Sequence, residues 1–283
     1  MPSFPRSFVA LSVLLGAACC GSRASADLVV YGNRTTPDTT TGILAYDLET
    51  GTSSTFFDTT GIGLGFVNGL AADNDAGLLY WLDATRIHTI NISDRSLLRS
   101  VGLTGFDTSI TGGLAVDPVS GTLYGSETSD NLYTIDPITG LVTNLGDVTV
   151  GGSAAMLGGL DWDEVGGRLL ATDDGAADAL IEIDLTTLVG SVITPYPTRP
   201  GGSTETDVDG LAVGRGVAYL TNDFNGDGIY RYDLATDTFL SGLPTNYAAN
   251  GITSGGAFIR TVAAVPEPAT TGLLGLAGIA GLL

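Results

Sequence analysis

The 283-residue chain contains no lysine. Its 11 basic residues are all arginine, and they face 31 acids for a formal net charge of −20. That balance excludes nucleic acid as a partner, since such binding rests on basic side chains neutralising phosphates. The chain has two cysteines, Cys19 and Cys20, and one histidine, His88. Thiol chemistry and a disulfide framework are therefore excluded beyond residue 20. A Ser-His-Asp arrangement would have to pass through His88, and no G-x-S-x-G nucleophile elbow accompanies it. Long apolar runs occur only at the two ends.

Those ends are expected to lie outside the fold. Residues 1–26 begin with Arg6 and an apolar stretch, Phe8–Ala18, and finish on Ala24-Ser25-Ala26. This is the pattern of a secretory signal peptide, with Ala24 and Ala26 marking the cleavage site. Residues 265–283 read Val265-Pro266-Glu267-Pro268-Ala269-Thr270, followed by an uncharged run to Leu283. The run spans roughly 22 Å as a helix at about 1.5 Å per residue, short of a hydrocarbon core of about 30 Å.

This segment resembles the PEP-CTERM sorting signal of Gram-negative and related bacteria, although the arginine cluster that ends that signal is absent here. The resemblance implies export and recognition of Val265, Pro266, Glu267 and Pro268 by an exosortase-type membrane enzyme. It also implies transient membrane association through a short apolar helix, delivery to the cell surface or extracellular matrix, and a link to exopolysaccharide.

Between the ends, abundant Gly, Thr and Asp favour short strands and tight turns. A Gly-Leu pair recurs with its glycine at 69, 113, 159 and 210. A second landmark, an apolar or aromatic residue before Asp or Asn, recurs at Tyr46-Asp47, Ile90-Asn91, Ile135-Asp136, Ile183-Asp184 and Tyr232-Asp233. A period of this length suits a four-stranded propeller blade. Each unit reads as a small inner strand, an Asp-led turn, an apolar strand, a polar loop, an alternating strand, a second Asp-led turn and an outer strand.

Residues 27–57 supply strands two to four of a blade, and 254–262 supply a lone first strand. Pairing them closes the ring and removes its edge. The expected architecture is all-β: a five-bladed propeller over 27–264, or six-bladed if a degenerate blade occupies 192–208 or 241–253. The repeat resembles the YVTN/NHL/gluconolactonase-like propellers, a superfamily that implies binding scaffolds, lactonases or metal-dependent hydrolases.

Asp223, Asn225 and Asp227, with Gly228 next, match the first half of a D-x-N-x-D-G calcium loop. Leu234 stands where that loop places a bidentate Glu, and a plain hairpin turn uses the same residues. Both readings stand, so calcium is the one cofactor in view. Asp83, Glu127, Asp130, Asp173, Asp174 and Asp178 fall in equivalent loops; they could form an acidic mouth, but the favoured reading is that turns simply prefer Asp. The repeated Asp73, Asp117 and Asp163, and the acids of the second landmark, read as turn-formers. His88 alternates with Ile87 and is expected on a strand surface, while Trp81 breaks the pattern and could reach a face. The functional expectation is an exported, non-enzymatic surface or matrix protein binding polysaccharide or envelope proteins. The alternative is a metal-dependent hydrolase of the lactonase-like kind.

Overall fold

Among the described residues, twenty-two short strands, in chain order, make up the fold. The computed structural model describes residues 27–33, 42–59, 67–83, 85–105, 112–127, 129–198, 208–221, 228–244 and 253–260. Blade 1 holds β1 (Leu28–Asn33), β2 (Gly42–Asp47) and β3 (Thr52–Asp58). Blade 2 holds β4 (Gly69–Asp73), β5 (Leu78–Leu82), β6 (Arg86–Asn91) and β7 (Leu97–Gly102). Blade 3 holds β8 (Leu114–Val116), β9 (Leu123–Ser126), β10 (Asn131–Ile135) and β11 (Val142–Asp147).

The connector to blade 4 forms β12 (Thr149–Val150) and β13 (Ser153–Ala154). Blade 4 proper is β14 (Leu157–Asp163), β15 (Arg168–Asp173), β16 (Ala179–Asp184) and β17 (Val189–Pro195). Blade 5 is β18 (Gly210–Gly214), β19 (Val217–Thr221), β20 (Ile229–Asp233) and β21 (Thr238–Leu243). The last strand, β22 (Thr253–Ile259), returns to blade 1 and pairs antiparallel with β1 from Leu28↔Ile259 to Asn33↔Thr253. The architecture is a five-bladed propeller closed by its first and last strands, and 192–208 and 241–253 hide no sixth blade among the described residues.

Five apolar clusters hold the ring, one between each pair of neighbouring blades. Period-two alternation divides each strand between two of them. In β5, Leu79 and Trp81 pack toward blade 1 while Tyr80 and Leu82 pack toward blade 3. The inner strands are therefore apolar on both faces, like strands of a sheet covered on both sides. Outer strands carry the exposed residues, as in β21.

The recurrent Gly-Leu pair is explained at the axis. A Cβ on Gly113 would sit 2.6 Å from the carbonyl carbon of Gly159, and one on Gly159 would sit 2.7 Å from that of Gly210. Gly210 would meet the carbonyl oxygen of Gly255 at 2.7 Å, Gly255 that of Asn68 at 2.8 Å, and Gly69 that of Gly112 at 3.0 Å. Five inner strands thus touch backbone to backbone around one ring, and no side chain larger than hydrogen fits. The fifth member, Gly255, belongs to the closing strand.

Turns after each third strand share one mechanism. Asp47, Asp136, Asp184 and Asp233 each accept bonds from the backbone N–H groups two and three residues on, at 2.7–3.3 Å. Asn91 does so from Ser93 N at 2.8 Å. These are Asx turns, so the repetition of acids at these positions is structural.

Candidate functional site

Each blade begins on its inner strand and runs as an up-and-down meander, which gives the disc two unlike faces. One face collects the Asp-led turns; the other collects the loops between second and third strands and the connectors between blades. Both ends of the described propeller emerge on the turn face. The Asp27 carboxylate pairs with the Arg215 guanidinium of the β18–β19 turn, with Arg215 Nη2 at 3.1 Å from Oδ1. Arg260 donates its backbone N–H to Asn74 Oδ1 at 2.7 Å, and Asn74 Nδ2 donates back to Phe258 O at 3.0 Å. The Arg260 guanidinium then bridges Asp75 at 2.7 Å and Glu164 at 3.3 Å. One residue of blade 1 thereby ties the turns of blades 2 and 4 across the axis.

Beside this clasp lies a pocket of about 200 Å³, lined among others by Glu164, Val213, Arg215, Phe258 and Arg260. Its arginines are already paired, and Asp163, also in the lining, holds Arg168 Nε at 2.9 Å. The described lining contains no Ser, Thr, Cys, Lys or His, so it offers charge and an aromatic ring but no hydroxyl, thiol or amine nucleophile.

The pocket wall rests on Asp161. This residue occupies the inner-strand position that is Ala in the other blades (Ala71, Ala115, Ala212, Ala257). Its Oδ2 accepts from Val213 N of blade 5 at 2.6 Å and its Oδ1 from Trp162 N at 2.8 Å. Burial pushes its carboxyl well above the ordinary range; the two backbone donors pull it down, and nearby Glu164 and Asp163 push it further up.

On the loop face, three of the acids that could have lined an acidic mouth are engaged by nearby donors. Asp173 is fully buried and accepts from Met156 N, Gly175 N and Ala177 N. Asp174 accepts from the Tyr196 hydroxyl at 2.8 Å and Val208 N at 3.1 Å. Glu127 accepts from Asn131 Nδ2 at 2.6 Å and Tyr133 OH at 3.0 Å. Asp173 and Asp174 turn inward to backbone N–H groups that the strands leave unsatisfied, and Glu127 turns to side-chain donors of its own blade.

The expectation for His88 is corrected. Its ring is 0% exposed, with Nε2 3.0 Å from Asp83 Oδ2 and its plane 4.3 Å from Trp81, centroid to centroid. Alternation places it correctly opposite Ile87, but in a propeller both faces of a middle strand are covered. Trp81, which pairs directly with His88 across β5 and β6, is buried, the usual place of an aromatic side chain. Burial raises the Asp83 carboxyl, but the bond from His88 and those from Thr85 and Arg86 outweigh it and hold it below the ordinary range. A histidine so enclosed cannot reach a substrate.

Asp223, Asn225 and Asp227 lie outside the described residues, as do Ala24, Ala26 and the Val265-Pro266-Glu267-Pro268 motif. Gly228, which is described, has φ of 76°, the bend that both the calcium loop and the plain hairpin require. Among the described residues no three His, Cys, Asp or Glu side chains gather as a metal site, and no helix is long and apolar enough to cross a membrane. Sequence reasoning missed the Arg260 clasp and Asp161. The clasp has no local signal, whereas Asp161 is visible as the one acid in an otherwise apolar Gly-Leu-x motif.

No known family profile matches the sequence, and no curated protein matches it. Solved structures do. A chain in the crystal structure of a nidogen/laminin complex aligns with a TM-score of 0.56 at 14% identity, over 83% of this chain and 99% of that one. A structural-genomics protein of unknown function from Bacteroides thetaiotaomicron aligns at 0.49 and 17% identity, over 65% of this chain and 52% of that one. At 14% identity the likeness to the nidogen/laminin chain is one of fold alone, that of the β-propeller.

Proposed function

We propose that the chain is an exported, non-enzymatic propeller of the cell surface or extracellular matrix that binds polysaccharide or an envelope protein on its loop face. The observation that carries this reading is the placement of both propeller ends on the turn face, each held by an ion pair. A tether at either end leaves the loop face unobstructed, and loops on a rigid ring are where binding surfaces form. The PEP-CTERM-like tail supplies the address in this reading, and the YVTN/NHL-like repeat supplies the scaffold. Buried His88 and the inward-turned loop carboxylates favour binding over hydrolysis.

The test is co-sedimentation with the producing cell's own exopolysaccharide, or with its envelope fraction. Ala176→Arg and Thr85→Arg, on the loop face, should lose binding, whereas Val119→Arg and Val165→Arg, on the turn face, should keep it. Equal loss on both faces would sink the assignment. Turnover of a lactone that is abolished by chelation would replace it with the hydrolase reading. Calcium at Asp223, Asn225 and Asp227 belongs to the same proposal. A melting temperature several degrees higher in millimolar calcium than in EDTA, with the difference lost in Asp223→Ala, supports it; an unchanged melt removes it.

A further inference from the structure

The inner turn of blade 5 departs from the repeat. In blades 2, 3 and 4 the first and second strands are joined by four residues, 74–77, 118–121 and 164–167, whereas β18 and β19 are joined by two, Arg215 and Gly216. So tight a hairpin needs φ above zero at both positions, and the values are 53° at Arg215 and 77° at Gly216. An L side chain rarely adopts that conformation, yet an arginine occupies it. The shortened turn leaves an opening beside it, where the pocket of the turn face lies. Two further departures border the same space: Asp161, which fixes Val213 of the wall, and Arg260 on the closing strand.

The internal pairs do not exhaust the polar groups of this lining. A guanidinium carries five N–H groups. Arg215 gives two to Asp27, through Nε and Nη2, and Arg260 gives two, to Asp75 and Glu164. Five less two leaves each arginine three N–H groups with no acceptor among the described residues. Glu164 offers Oε2 to Arg260, and its Oε1 accepts no bond among the described residues. Asp163, by contrast, is spent on Arg168 Nε and Val165 N. Val165, Val213 and Phe258 supply the apolar part of the wall.

We propose that this pocket binds a small zwitterion with an apolar arm, the chemistry of a free aliphatic amino acid. The ligand carboxylate takes the remaining N–H groups of Arg215 and Arg260, its ammonium takes Glu164 Oε1, and its side chain lies against Val165, Val213 and Phe258. A simple anion would meet Glu164 and a chain of net charge −20. A simple cation would meet two guanidiniums, and a purely apolar molecule would bury their N–H groups unpaired. Size agrees as well: a cavity of roughly 150 Å³ holds benzene, so one of about 200 Å³ holds a molecule a few heavy atoms larger. The site lies on the face opposite the loop surface, so this inference goes beyond the function proposed above and stands or falls apart from it.

Isothermal titration calorimetry of L-leucine into the intact protein tests the assignment, with saturable one-to-one binding expected. N-acetyl-leucine, which lacks the ammonium, and leucine amide, which lacks the carboxylate, should each bind about tenfold or more weakly, the worth of one charge-assisted bond. Glu164→Gln should weaken leucine by a like factor and leave N-acetyl-leucine unchanged. Its melting temperature should stay near that of the parent, because the ion pair it loses is partly exposed. Arg215→Gln should weaken leucine and N-acetyl-leucine alike. The absence of saturable heat with millimolar leucine overturns the proposal. So does a derivative that binds as tightly as leucine, or leucine binding untouched by both substitutions.

Discussion

At the scale of the residue, the carboxylates of this acidic chain do two opposite things. Exposed turn acids such as Asp136, Asp184 and Asp233 are held below the ordinary carboxyl range by bonds from neighbouring hydroxyl or backbone groups. Their contribution is present above the unfolded pKa and fades as pH falls through the folded one. Asp161 has the opposite sign. Its carboxyl is raised in the folded state, so folding favours its protonated form, and stability is lost as pH rises from the unfolded pKa through the folded one. Asp161→Asn should remove that loss. Melting temperatures across pH 4–8 (about the span from an ordinary Asp pKa upward) should diverge between wild type and variant as pH rises, and parallel curves would refute the assignment. Asp83→Ala should cost about 2–3 kcal/mol in chemical denaturation, because it strands the buried His88 ring and three loop donors. Asp83 looks in the sequence like any other loop acid, and although Asp161 stands out in its Gly-Leu-x motif, the direction of its effect does not. What distinguishes them is the blade packed against them.

At the scale of the element, the sequence showed most of what the structure contains. Gly-Leu marked the first strand of four blades, and the apolar or aromatic residue before Asp or Asn marked the third strand of all five, because backbone crowding at the axis and Asx turns both impose a residue type at one position. Second strands were legible too: the apolar strand expected after each Asp-led turn is present, as in β9, Leu123–Ser126. The β12–β13 hairpin on the edge of blade 4 was not legible, since two-residue strands carry no period. Gly113→Ala tests the axial explanation. Its methyl would meet the backbone of Gly159 and Leu160, so the fold should lose about 1–3 kcal/mol, the usual cost of overpacking. Gly77→Ala, where nothing lies within 4 Å but φ is 70°, should lose only about 1 kcal/mol, the cost of a left-handed L-residue. Equal losses would mean that the ring is looser than the glycine contacts require.

At the scale of the whole molecule, five apolar interfaces of similar construction are locked by a single non-repeating contact, the pairing of β1 with β22. Deleting residues 253–283 should leave blade 1 without its inner strand and expose the apolar faces of Leu70 and Tyr219, both buried in the intact ring. Loss of cooperative unfolding and dye binding to exposed apolar surface are the expected readouts, and a truncated chain that still melts cooperatively at the original temperature would count against closure as the lock. The order of synthesis gives that lock a further meaning. β1 is made first and its partner β22 last, so the ring cannot close until nearly the whole propeller has been synthesised. The entropy of joining ends so far apart grows only slowly with length, so the delay costs time far more than stability. Under the export proposed above, a late-made keystone would keep the molecule open while it threads a membrane and let it close on the far side.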